Sequence, residues 1–125
     1  MDFWWYVLLA LALLWFVNRV RPVSGLQSVD ATTLREKMNE RGGLKIVDVR
    51  EPEEFAAGHI PGALNLPLGR IRYTAKQALT PEDEIVLVCR SGRRSVQAAR
   101  LLRKMGYKKL YNLAGGMLMW EGDRR

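Results

Sequence analysis

An α/β fold with a central parallel sheet and helices on both of its faces is predicted for this 125-residue chain by three observations. Short β-branched apolar runs alternate with helical stretches from residue 27 to residue 124. One run, EIVLV at Glu84–Val88, is apolar at its last four positions, as in a central strand covered on both sides. The stretches between the runs carry helix start and stop signals at the expected ends.

The first element is of a different kind. Residues 3–17 (FWWYVLLALALLWFV) contain no charge, and as a helix they span about 22 Å against a hydrocarbon core of about 30 Å. Trp4, Trp5 and Tyr6 stand at one end and Trp15 and Phe16 at the other, the belt arrangement of membrane interfaces. Only Met1 and Asp2 precede the run, and Asn18-Arg19-Val20-Arg21-Pro22 follows it, with no A-x-A. A cleaved signal peptide reverses that pattern, and a helix apolar on every face suits no small core. Residues 1–20 are therefore expected to be a single-pass transmembrane anchor that meets membrane lipid through residues 3–17. Cations on the C-terminal side predict a cytoplasmic domain, a bacterial inner membrane being the expected setting.

Residues 21–26, with Pro22, Ser24 and Gly25, read as a linker, and residues 27–124 as the domain. Asp30 is placed to N-cap a helix through Leu34 and Met38 that Gly42-Gly43 stops. Residues 45–49 (KIVDV) form a strand, and residues 52–58 (PEEFAAG) a short helix with Pro in its first turn. A strand is expected at 63–66 and a helix within 67–79. After Glu84–Val88 comes a helix over 95–105, with Ala98, Leu101, Leu102 and Met105 on one stripe and Gly106 at its end. Lys109–Leu113 closes the sheet, and Gly115-Gly116 opens a short terminal helix ending near Trp120.

Composition narrows the function. One Cys excludes an internal disulfide, and one Cys with one His makes a metal site a poor reading. Lys and Arg number 20 against 13 Asp and Glu, a net charge of +7. Arg70, Arg72, Lys76, Arg103, Lys104, Lys108 and Lys109 lie within no aromatic-basic module, so no nucleic-acid partner is expected. Attraction to anionic headgroups suits a chain with an apolar anchor.

Chemistry concentrates in Cys89-Arg90-Ser91-Gly92-Arg93-Arg94-Ser95, between the central strand and the following helix. In open parallel sheets ligands bind beyond the carboxyl ends of strands, and a helix N-terminus points backbone N–H groups at an anion. Gly92 lets such a loop curl into a cradle. Amides, helix dipole and three arginines around Cys89 suit a sulfur nucleophile meeting a small anion. Asp48 and Arg50 end a strand on the same sheet edge and are expected to form a salt bridge that fixes the loop, direct substrate contact being the alternative. Glu54 joins that charge pattern or is solvated. His59, between Gly58 and Ile60-Pro61, reads as a turn anchor rather than a base.

Four motifs together resemble the rhodanese family of single-domain sulfurtransferases. They are Ile46-Val47-Asp48-Val49-Arg50, Gly58-His59-Ile60-Pro61-Gly62-Ala63-Leu64-Asn65, the loop from Cys89 to Ser95, and Leu113-Ala114-Gly115-Gly116 followed by Trp120. The resemblance implies that Cys89 takes sulfane sulfur from a donor such as thiosulfate and carries it as a persulfide. That covalent persulfide is the only prosthetic state it implies. It further implies that the loop amides from Arg90 to Ser95 hold the persulfide, while Arg90, Arg93 and Arg94 bind the donor's anionic head. With no second cysteine, sulfur must leave to an external thiol or protein acceptor.

Two rivals share the fold. Cysteine phosphatases and arsenate reductases use a longer loop closed by an arginine, usually with a histidine before the cysteine. Here Val88 precedes Cys89 and the sixth place after it is Ser95. A non-catalytic binding module at the membrane is the other rival, and the intact Cys89 loop speaks against it.

Overall fold

A computed structural model describes residues 2–20, 26–40 and 44–125. Its elements are α1 (Phe3–Val20), β1 (Leu26–Val29), α2 (Ala31–Asn39), β2 (Leu44–Asp48), α3 (Pro52–Ala57), β3 (Leu64–Asn65), a 3-10 turn at Leu68–Arg70, α4 (Ile71–Ala78), β4 (Glu84–Val88), α5 (Arg93–Lys104), β5 (Lys109–Leu113) and a C-terminal 3-10 turn at Gly116–Leu118.

The apolar runs pair into one five-stranded sheet of order β1-β5-β4-β2-β3, with every neighbouring pair parallel. β4 lies at its centre, and Ile85, Val86, Leu87 and Val88 are fully buried. Alternate side chains along β4 serve two cores. Ile85 and Leu87 join Ile71 and Ala75 of α4 and Ala98, Ala99 and Leu102 of α5 on one face. Val86 and Val88 join Leu34 of α2, Ile60, Met117 and Trp120 on the other. The predicted α/β sheet with helices on both faces is therefore the observed one.

Asp30 caps α2, its side chain accepting from the Thr33 N–H at 2.7 Å. Pro52 opens α3 within a capping box of Glu51 and Glu54. The strand expected at 63–66 narrows to Leu64–Asn65. The helix expected over 95–105 begins two residues earlier, at Arg93, because Gly92 takes φ 105° and turns the chain directly into it.

Two expectations need correction. Residues 26–29 (LQSV) form an edge strand that the sequence reading did not contain, and Leu26, assigned to the linker, pairs with Leu110. With two polar residues of four, β1 owes its form to hydrogen bonds from β5 rather than to its own propensity. Residues 21–25 of the expected linker, and the Gly42-Gly43 helix stop, lie outside the described residues.

The second correction concerns α1. It is a regular helix whose large apolar side chains are exposed on all sides, Leu8 and Trp15 among them. Yet no described helix is long and apolar enough to cross a membrane, so the transmembrane span expected for residues 1–20 is not supported. The physical reason is length: α1 has 18 residues, about 27 Å of rise, and Asn18 and Arg19 take part of its last turn.

Candidate active site

β4 ends inside the molecule and hands the chain to Cys89, whose exposure is 1%. Gly92, in the left-handed region, folds the next residues back over the sulfur, and its N–H donates to Cys89 Sγ at 2.8 Å. A residue with a Cβ resists that conformation by about 1–2 kcal/mol. α5 then starts at once. Its first ladder bond runs from the Val96 N–H to the Gly92 carbonyl at 3.3 Å. The N–H groups of Arg93, Arg94 and Ser95 precede that bond and have no acceptor within the helix. Together with the dipole of α5 they give the loop the character of an anion site.

Two of the loop's carbonyls are bonded elsewhere. The Met117 N–H donates to the Cys89 carbonyl at 2.8 Å and the Leu118 N–H to the Arg90 carbonyl at 3.1 Å. This strap requires Gly116, which has φ 56° and approaches so closely that a Cβ there would fall 2.6 Å from the Arg90 carbonyl carbon and oxygen. The double glycine after β5 thus has a steric reason at its second position.

The arginines divide. Arg90 and Arg93 are exposed at the rim and have no ion pair among the described residues. Arg94 instead makes a bidentate pair with Glu54 of α3, at 2.6 and 2.9 Å. Its hydrogen bonds pull the Glu54 carboxyl down to about 2, and the same pair raises the Arg94 guanidinium. Arg94 therefore braces α5 against α3 rather than standing open to a ligand. Ser91 is exposed and Ser95 fully buried, its Oγ without a hydrogen-bond partner among the described residues.

Asp48 and Arg50 form the expected salt bridge, buried and bidentate, with Arg50 Nε donating to Oδ1 at 2.9 Å and Nη2 to Oδ2 at 2.7 Å. Arg50 Nη2 also donates to the Gly58 carbonyl at 2.7 Å, which ties the end of β2 to the end of α3. The Val49 N–H donates to the Val88 carbonyl at 2.8 Å and so fixes this turn beside the start of the Cys89 loop. His59 is a turn anchor, as expected. Its ring stacks on Phe55 with centroids 3.7 Å apart, Nδ1 contacts the Phe55 carbonyl, and its backbone exchanges two hydrogen bonds with Arg125.

Sequence reasoning missed Asn112. This β5 residue is mostly buried, and its Nδ2 lies 3.5 Å from where a Gly92 Cβ would stand. Its Oδ1 is buried without a partner among the described residues. The available signal was an amide inside the otherwise apolar end of a strand.

Comparison with known proteins agrees with this geometry. Residues 30–123 match the family model for the rhodanese-like domain. The putative sulfur carrier protein YrkF of Bacillus subtilis is 40% identical over 99 residues, 79% of this chain and 53% of that protein, so the chain spans about half its length. The human thiosulfate:glutathione sulfurtransferase is 32% identical over 111 residues, 78% of this chain and 96% of that protein. Among solved structures, a rhodanese-like domain protein from Staphylococcus aureus superposes with a TM-score of 0.70 at 33% identity, covering 78% of this chain and 92% of the other.

Proposed function

This chain belongs to the rhodanese-like domain family and is an enzyme of the sulfurtransferase kind, and from that premise we propose that Cys89 carries sulfane sulfur from an anionic donor, thiosulfate or a close analogue, to a thiol acceptor. The observation that carries the reading is the Gly92 N–H on Cys89 Sγ at 2.8 Å, inside a turn whose carbonyls at Cys89 and Arg90 are both bonded away.

In the first half-reaction the Cys89 thiolate attacks the outer sulfur of thiosulfate. The S–S bond of thiosulfate breaks, sulfite departs with the bonding pair, and Cys89 is left as a persulfide anion. Arg90 and Arg93 at the rim draw in the doubly charged donor, and the N–H groups of Arg93, Arg94 and Ser95 hold the terminal sulfur. In the second half-reaction an acceptor thiolate attacks that terminal sulfur, becomes a persulfide itself and releases the Cys89 thiolate. No electron acceptor is consumed and no cofactor beyond the carried sulfur is required. Cys89 is the chain's only cysteine, so the acceptor comes from outside. Three residues separate Cys89 from α5, which suits one sulfur atom better than a phosphate, and Arg94 is held by Glu54.

The same proposal places the domain at a membrane, in the cytoplasm. α1, its large apolar side chains exposed, would seat residues 3–17 in lipid without crossing the bilayer.

Two experiments test these readings. Intact mass is measured before and after thiosulfate: a reducible gain of one sulfur atom, absent in Cys89→Ser, is expected. A folded protein with an alkylatable thiol that gains nothing from thiosulfate or polysulfide would overturn the catalytic reading in favour of a binding module. Alkaline carbonate extraction of membranes tests the second. Retention in the pellet is expected, and release to the supernatant would refute attachment through α1.

A further inference from the structure

We propose that the groove between α4 and α5 docks the headgroups of anionic phospholipids at a bilayer surface, which holds the domain in one orientation; this rests on the reading of α1 as the membrane attachment.

α4 and α5 cover the same sheet face, where Ile71 and Ala75 pack beside Ala98, Ala99 and Leu102. The outward sides of both helices are purely cationic. α4 (IRYTAKQA) carries two cations and no acid, and α5 (RRSVQAARLLRK) carries five and no acid. On the other face α2 (ATTLREKMN) mixes both signs. Between α4 and α5 runs a groove of about 230 Å³ lined by Arg72, Lys76, Leu101, Lys104 and Met105. The half-buried Leu101 and Met105 make its floor apolar, while Arg72, Lys76 and Lys104 are exposed along it. None of these three cations pairs with a carboxylate among the described residues. Tyr73, 77% exposed, stands on the same helix as Arg72.

Cations above an apolar floor, with an exposed tyrosine beside them, match a phosphodiester carried on a glyceride. The phosphate meets the cations, the glycerol and first methylenes meet Leu101 and Met105, and tyrosine favours the interfacial depth. Tether length adds a second argument. Five residues separate α1 from β1 and reach about 18 Å at most, so a domain on a membrane-seated α1 cannot leave the surface. Arg100 Nη2 donates to the Arg19 carbonyl at 3.1 Å, which sets the last turn of α1 against α5 one turn from Lys104. Each cation near an anionic surface favours the docked state about fivefold, so three together favour it by about a hundredfold.

Docking also fixes where Cys89 lies. The groove lies at the C-terminal end of α5 and the Cys89 loop at its N-terminal end, twelve residues or about 18 Å away. The sulfur site is therefore held at the far end of the helix from the docked headgroups.

The test uses the full chain assembled into nanodiscs of phosphatidylcholine alone or with phosphatidylglycerol. Acetylation rates of individual lysines are read by mass spectrometry. Lys76 and Lys104 are expected to react about threefold more slowly, or slower still, in the anionic discs, with Lys37 on the opposite face unchanged. Salt at about 0.5 M should abolish the difference, and Arg72→Glu should restore reactivity at both lysines. Equal rates in the two discs would overturn the groove while leaving attachment intact. Protection by sn-glycerol 3-phosphate without any bilayer would overturn the lipid assignment in favour of a soluble phosphate ligand. A chain that enters neither disc would overturn attachment and groove together. Persulfide formation from thiosulfate, measured on the same samples, reports the catalytic reading independently.

Discussion

Replacing Gly116 with alanine attacks the Cys89 loop from behind while leaving every residue of the loop itself unchanged. The substituted residue must hold φ 56°, which costs an L-residue about 1–2 kcal/mol. Its Cβ would also stand 2.6 Å from the carbonyl carbon and oxygen of Arg90, backbone atoms that cannot swing aside as a side chain can. Relief requires the C-terminal turn to back away, which breaks the bonds from Met117 to Cys89 and from Leu118 to Arg90, about 1 kcal/mol each. The expected loss is about 3–4 kcal/mol. Gly62→Ala supplies the control, since Gly62 has φ 86° with no atom within 4 Å of an added Cβ, so only the conformational cost of about 1–2 kcal/mol applies. Urea unfolding of both variants in mild detergent, extrapolated linearly, measures the difference. Persulfide formation by the folded Gly116→Ala protein should also be slower, because the loop's amides lose their orientation. If Gly116→Ala unfolds no more easily than Gly62→Ala, the strap is not what holds the loop.

Arg50→Met leaves Asp48 fully buried with its partner gone, and should destabilise by about 3–5 kcal/mol in the same assay, with a second change, Asp48→Asn, recovering part of the loss. The Glu54 carboxyl titrates near 2 in the folded protein against an ordinary 4.5, so its pair with Arg94 contributes fully above pH 4.5 and is lost as pH falls toward 2. With both side chains about one-third exposed, that contribution is about 1 kcal/mol at most; Glu54→Gln should remove this part of the acid sensitivity, and an unchanged acid-unfolding profile would count against the pair. Ser95→Ala deletes a buried hydroxyl that has no partner among the described residues and keeps the backbone N–H, so stability should stay within about 0.5 kcal/mol and persulfide formation should persist; a large loss of stability would show that the hydroxyl has a structural partner.

What could be read in the sequence was whatever local pattern decides. Residues 85–88 announce a central strand because a strand buried on both faces leaves no polar alternation along those four positions. The Cys89 loop was legible because a glycine, a helix start and three arginines crowd seven consecutive residues. Non-local partnerships were hidden. LQSV carries no strand signal of its own and becomes β1 only because β5 offers it a free edge. Arg94 looked like a ligand for substrate, yet its partner Glu54 lies 40 residues earlier, and no spacing rule connects them. Asn112 meets Gly92 across the sheet, and the use of Gly116 as a close approach depends on where the C-terminal turn returns. The apolar run of α1 is visible at once, and Asn18 and Arg19 near its end keep it short of a full span.

The position of the strap in the chain has a consequence for biosynthesis. A ribosome delivers Cys89 well before Met117 and Leu118, and β5, which fills the gap between β1 and β4, arrives between them. Until Met117 and Leu118 emerge, the Cys89 and Arg90 carbonyls lack the donors that the turn supplies. Cys89 is thus present on the nascent chain before the turn that bonds its carbonyl. Only a chain extended past Leu118 can bond both carbonyls away, so the turn around Cys89 is completed well after the cysteine itself is made.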